Sequence, residues 1–66
     1  MAVMKVIEIL SESSDSWEEA VRIGVKKASK SVNGIASVYI NEQTVTVKNG
    51  KVDKFRVNMK ITFRVN

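Results

Sequence analysis

The sequence predicts a small α+β protein of order β-α-β-β, with residues 1–66 forming one domain. Three observations carry this prediction. Residues 54–65 read K-F-R-V-N-M-K-I-T-F-R-V, setting Phe55, Val57, Met59, Ile61, Phe63 and Val65 against Lys54, Arg56, Asn58, Lys60, Thr62 and Arg64 without a break. A period of two over such a length belongs to a strand with one apolar face and one basic, polar face. Between Trp17 and Val32 the apolar residues recur every three or four positions instead, the spacing of a helix that buries one stripe. Asn49-Gly50 then separates two β-prone runs and is a strong two-residue hairpin signal.

Met4–Leu10 is short and rich in β-branched residues, which predicts a first strand whose imperfect alternation leaves its register open. Ser11 to Ser16 is a polar connection rich in capping residues. Ser16 and Glu19 match the S-x-x-E capping box, in which hydroxyl and carboxylate cover exposed backbone N–H groups. Capping accounts for these serines without a phosphosite or an anion nest. The helix is expected from about Trp17 to Val32, with Trp17, Ala20, Val21, Gly24, Val25, Ala28 and Val32 on its apolar stripe. Gly24 and the alanines keep that stripe thin, which suits close packing on a sheet. Glu18 and Glu19 begin the helix and Lys26, Lys27 and Lys30 end it, each sign matching the dipole of its end. Asn33-Gly34 supplies the left-handed stop. Trp17, first in the helix and on the stripe, reads as a core cap rather than a stacking platform.

Ile35–Lys48 is the second long strand. A two-residue turn at Asn49-Gly50 makes paired residue numbers sum to 99. One face then pairs Ala36 with Phe63, Val38 with Ile61 and Ile40 with Met59, and must receive the helix. The other pairs Ser37 with Thr62, Tyr39 with Lys60, Asn41 with Asn58, Gln43 with Arg56 and Val45 with Lys54. A bulge between Gln43 and Thr46 is the main threat to this register. With the helix crossing one face, the first strand lies antiparallel to the third, which becomes central. Nothing in the chain remains to cover the second face, where Tyr39, Val45, Val47 and Val52 stand among Arg56, Asn58 and Lys60. Apolar residues clustered among polar ones suggest a partner surface.

Composition narrows the chemistry. A chain of 66 residues buries only about 60% of its unfolded surface, so its own core is marginal. With no cysteine there are no disulfides, thiolate metal sites or cysteine nucleophiles, and self-association is the remaining support. With no histidine the commonest general base is missing too, so an enzyme is not expected. Glu8, Glu12 and Asp15 offer oxygen ligands that could gather around Ca²⁺ in an assembly, but their spacing matches no calcium-loop motif and no metal site is assigned. No run reaches the roughly 18 apolar residues of a membrane span, and Met1–Leu10 carries Lys5 and Glu8, unlike a signal peptide, so a cytoplasmic protein is expected. The net charge of +4 favours anionic partners, or only a solvated lysine surface.

The stretches K-V-I-E-I, S-W-E-E-A-V, K-A-S-K-S-V, N-E-Q, V-K-N-G-K-V and F-R-V-N-M-K-I-T-F, taken together, resemble the dodecins over nearly the whole chain. The resemblance implies a three-stranded antiparallel sheet wrapped around one helix, assembled as a hollow homododecamer that stores or sequesters flavins rather than transforming them. In flavin-binding members a tryptophan early in the second strand stacks on the isoalloxazine, and a glutamine in the third strand bonds the ring's polar edge. Those positions fall on Ser37 and Arg56 here. Loss of the stacking ring weakens binding by roughly one to two decades, since base–aromatic stacking is worth about 1–3 kcal/mol. Arg56 turns preference toward anions, or pairs with Glu42 or Gln43 across the hairpin. The expected ligand set is Ser37, Tyr39, Glu42, Gln43 and Arg56, with FMN, riboflavin or a related anionic molecule as cofactor. The alternative is a single-stranded nucleic-acid module using Lys54, Arg56, Lys60 and Arg64. Tyr39 alone for stacking counts against it, because such sheet faces usually offer two or three aromatics.

Overall fold

A computed structural model describes residues 2–65 of the chain. Its elements are β1 (Val3–Ser13), α1 (Trp17–Ala28), β2 (Ile35–Lys48) and β3 (Lys51–Val65). The sheet has the order β1-β3-β2, and β3 runs antiparallel to both neighbours. The expected α+β class, element order and central third strand are therefore all present. The helix lies on β1 and β3.

β1 continues three residues beyond the expected Leu10, through the serines read as a connection. Ser11 and Ser13 pair with Val57 and Phe55 on the helix side, and both are buried. Small side chains are needed there because the helix comes close at Gly24. A Cβ added at Gly24 would stand 2.9 Å from the Met59 methyl, 3.2 Å from the Ser11 Cβ and 3.3 Å from the Ile9 methyl. Ser11 is a spacer under the helix, whereas Ser13 Oγ accepts from the Asp15 N–H at 3.0 Å where the strand ends.

α1 begins as the capping residues predict, with the Glu19 N–H donating to Ser16 Oγ at 3.0 Å. The Glu19 carboxylate meets Arg22 at 3.5 Å instead of closing the box. The helix stops at Ala28, a turn before the expected Val32. Ser29 Oγ donates to the Lys26 carbonyl at 2.8 Å, and the Lys30 and Ser31 N–H groups turn to carbonyls three residues back. The last turn thus tightens and leaves the α-helical pattern. Gly34 adopts φ +72°, and its carbonyl accepts from the Arg64 N–H at 3.0 Å, bringing the chain onto the sheet.

Asn49 and Gly50 have φ of 53° and 75°, the two left-handed positions of a type I′ turn. The expected register holds at both ends of the hairpin, with Lys48 opposite Lys51, Val47 opposite Val52, and Ser37 to Ile40 opposite Thr62 to Met59. It fails in the middle. Asn41 is an extra residue on β2 and Asp53 an extra residue on β3, so Glu42 to Thr46 pair one position away, opposite Asn58 to Lys54. A further irregularity at Ala36 puts Ile35 opposite Phe63. The expected pairs Ala36–Phe63, Asn41–Asn58, Gln43–Arg56 and Val45–Lys54 are thereby replaced. Each bulge adds one residue and inverts the faces of the residues beyond it on its own strand, so Val47 and Val52 pair on the helix side and not on the uncovered face expected for them.

The core is small. Ala20, Val57, Met59 and Ile61 are fully buried, and Ile7, Ile9, Trp17, Val21, Ala28, Ile35 and Val38 pack around them. The molecule measures 51 × 19 × 14 Å with a radius of gyration of 13.5 Å, against about 11 Å for a compact chain of this length. Met59→Ala removes a central, fully buried side chain and is expected to cost about 2–5 kcal/mol. Urea unfolding at fixed protein concentration checks this, and a loss below about 1 kcal/mol would place the core elsewhere.

Candidate functional site

The even-numbered residues of β3 point away from the helix, opposite the buried Val57, Met59 and Ile61. Arg56, Asn58, Lys60, Thr62 and Arg64 line up there, with Lys54 continuing the row. β1 adds Met4, Val6, Glu8, Leu10 and Glu12 by its register, and β2 adds Ser37, Tyr39, Glu42 and Thr44. No element of the described chain covers this face. Val6, Leu10 and Tyr39 are 55%, 57% and 64% exposed on it.

The charges on the face alternate in sign. Glu8 stands opposite Lys60 and Glu12 opposite Arg56. The Glu12 carboxylate lies 3.7 Å from the Arg56 guanidinium, with both side chains roughly two-fifths exposed. Arg56 therefore pairs with the first strand, not with Glu42 or Gln43 as expected. Arg56 also borders a shallow depression with Leu10, Glu42, Thr44 and Asn58, and its Nε is buried without a hydrogen-bond partner. Asn41, at the bulge, donates to Asn58 Oδ1 at 3.1 Å.

The five residues expected to form the site separate into groups. Glu42 and Arg56 share the depression. Ser37 and Tyr39 lie opposite Thr62 and Lys60 on the same face, but farther along. Six residues of strand separate Thr62 from Arg56, about 20 Å at 3.4 Å per residue. No ring system of flavin size touches Ser37 and Arg56 of one chain together. Gln43 leaves the group: the Asn41 bulge turns it to the helix side, opposite Val57, beside Trp17, Val21, Arg22 and Ile40. Val45 moves with it, opposite Phe55.

Trp17 is a core cap. Its ring meets Phe55 edge-on at 5.1 Å, and its Nε1–H donates to the Thr44 carbonyl at 3.0 Å. That bond ties the start of the helix to the shifted part of β2. Glu12 and Leu10 are the open-face residues that the sequence reading did not assign to the site. Their signal is the period of two in E-I-L-S-E, which ranks Glu8, Leu10 and Glu12 together.

The described residues contain no group of three acidic, histidine or cysteine side chains arranged to hold a metal ion. Nor do they contain a helix long and apolar enough to cross a membrane. The basic row proposed for nucleic acid does share one face, but Glu8, Glu12 and Glu42 stand within it and Tyr39 is its one aromatic among the described residues.

A family model described as Dodecin matches residues 3–66. Calcium dodecin of Mycobacterium tuberculosis is 32% identical over 65 residues, covering 98% of this chain and 92% of that protein. Among solved structures, dodecin from Streptomyces coelicolor superposes with a TM-score of 0.95 at 25% identity, over 98% of this chain and 93% of that one. The M. tuberculosis calcium dodecin structure, described as calcium-chelating, superposes with a TM-score of 0.86 at 34% identity, over 97% and 91% of the two chains.

The Glu12–Arg56 pair is exposed enough for solvent to screen it. Glu12→Gln is expected to change stability by less than about 1 kcal/mol in thermal unfolding at matched protein concentration. A larger loss would mean that the pair is buried in the protein as it exists in solution.

Proposed function

The chain belongs to the dodecin family, and on that premise we propose that residues 1–66 form a single binding domain whose copies assemble as a homododecamer and hold small anionic ligands between subunits. The observation that carries this reading is the open sheet face, where exposed Val6, Leu10 and Tyr39 stand among charged residues with nothing in the described chain to cover them. The small core supports assembly further. The domain acts in the cytoplasm by binding, storing or sequestering its ligand; a chain without histidine or cysteine lacks the usual groups for proton transfer and covalent catalysis.

FMN or riboflavin is the ligand proposed for this face, with Ser37, Tyr39, Glu42 and Arg56 as the residues offered for it. Ser37 and Arg56 stand at the stacking and ring-edge positions, and their separation within one chain requires that two subunits build each site. Gln43 faces the helix side and has no part in it. Arg56 brings a fixed positive charge, so a phosphate- or carboxylate-bearing ligand is favoured over a neutral one. Calcium is named for the M. tuberculosis relative. In this chain Glu8 and Glu12 each stand opposite a cation, which favours anions over calcium on this face.

Native mass spectrometry reports subunit count and retained ligand together; a stable monomer would remove the shared site. Titration followed by flavin fluorescence tests the ligand. Ser37→Trp is expected to tighten FMN binding by roughly one to two decades, the equivalent of about 1–3 kcal/mol of stacking. An unchanged affinity would take Ser37 out of the site.

A further inference from the structure

On the other side of the sheet, an apolar groove runs between α1 and β1, the free edge strand. Its floor and walls are Ile7, Ile9, Leu10, Ile23 and Ala28, and Gly24 leaves the helix side of the floor without a side chain. Ile23 is 42% exposed although it is a large hydrophobe beside the core. The lining is otherwise small or apolar, with one charge. Lys27, in the last turn of α1, and Ser31, just beyond it, also line the groove, as does Ser11, and no acidic residue does. Among the described residues Lys27 has no carboxylate within 4 Å.

An apolar trough with one unpaired ammonium and a hydroxyl in its lining has the chemistry of an amphipathic anion site. We propose that this groove binds a medium-chain monocarboxylate, with the alkyl chain along Ile7, Ile9 and Ile23 and the carboxylate on Lys27 and Ser31. Size agrees with this class. The groove offers about 360 Å³ of open space, enough to admit a chain of this class.

Charge argues against the obvious competitor, a second copy of the chain. The protruding apolar segment of this protein is the hairpin end, with Val47 and Val52 65% and 55% exposed. It carries Lys48 and Lys51 at its turn, which would meet Lys27 with like charge. The groove opens on the helix side and shares only Leu10 with the sheet face offered above for subunit contact, so variants of Lys27 and of Ser37 or Arg56 test the two readings separately.

Calorimetric titration of the assembled protein with hexanoate, octanoate, decanoate and decanol is the test. Saturable decanoate binding is expected, weakening roughly two- to fourfold for each methylene removed as buried apolar area is lost. Lys27→Gln should bring decanoate down to the affinity of decanol and leave decanol unchanged, whereas Ser37 and Arg56 variants should alter neither. The chain-length series on the wild-type protein needs no variant to fold. Decanoate binding no tighter than decanol, or absent, would overturn the proposal. So would a changed subunit count in Ile23→Ala by native mass spectrometry, since the groove would then be a contact between copies.

Discussion

A helix advances about 1.5 Å per residue and a strand about 3.4 Å. The twelve residues of α1 therefore reach about 18 Å, whereas the fifteen of β3 reach about 50 Å. One helix cannot roof such a strand, and it sits where Val57, Met59 and Ile61 meet Ala20 and Gly24. The rest of the sheet extends beyond this cover, which gives the chain its elongated shape and its exposed valines at the hairpin end. The second face has no cover at all among the described residues. The first deficit follows from the mismatch in rise and the second from a single helix covering one face, and both point to surfaces completed from outside the chain.

The parts of the fold legible in the sequence are those fixed by short-range stereochemistry. Asn49-Gly50 dictates a type I′ turn, Ser16 caps the helix, and the alternation of β3 needs a covered face. The parts that were not legible depend on contacts distant in sequence. Ser11 looks like part of a connection until the helix above it is seen to need a small neighbour at Gly24. The Asn41 bulge leaves no local mark, because N-E-Q-T-V-T-V suits a strand in either phase. Its effect on the site is large nonetheless. Ser37 and Tyr39, before the bulge, lie on the face that alternation gives them. Glu42 and Gln43, after it, exchange faces, so that Glu42 joins Arg56 and Gln43 joins Trp17. Arg56 remains on the open face because the second bulge, at Asp53, precedes it on β3.

The net charge of +4 reads differently once it has a location. On the open face Glu8, Glu12 and Glu42 offset much of the basic row of β3, and no strongly positive plane results. Unbalanced lysines lie at the end of the helix and at the hairpin turn. A basic composition alone suggests a polyanion, and the placement instead favours discrete, small anions recognised one guanidinium or ammonium at a time. The Arg56 guanidinium, about two-fifths exposed beside the depression, fits that picture.

The ladder between β1 and β3 spans the chain from Ser13–Phe55 out to Val3–Val65, whereas the ladder between β2 and β3 closes across two residues. Loop-closure entropy makes these unequal steps in time. The hairpin can zip early from its turn, but it then presents β3 with one edge unpaired and its apolar face bare. Only the arrival of β1 and the helix seals that edge. Between those events the nascent chain exposes a long, regular strand edge, the feature by which unfinished sheets recruit one another. For this architecture the order of events governs whether copies meet as finished subunits or as tangled intermediates.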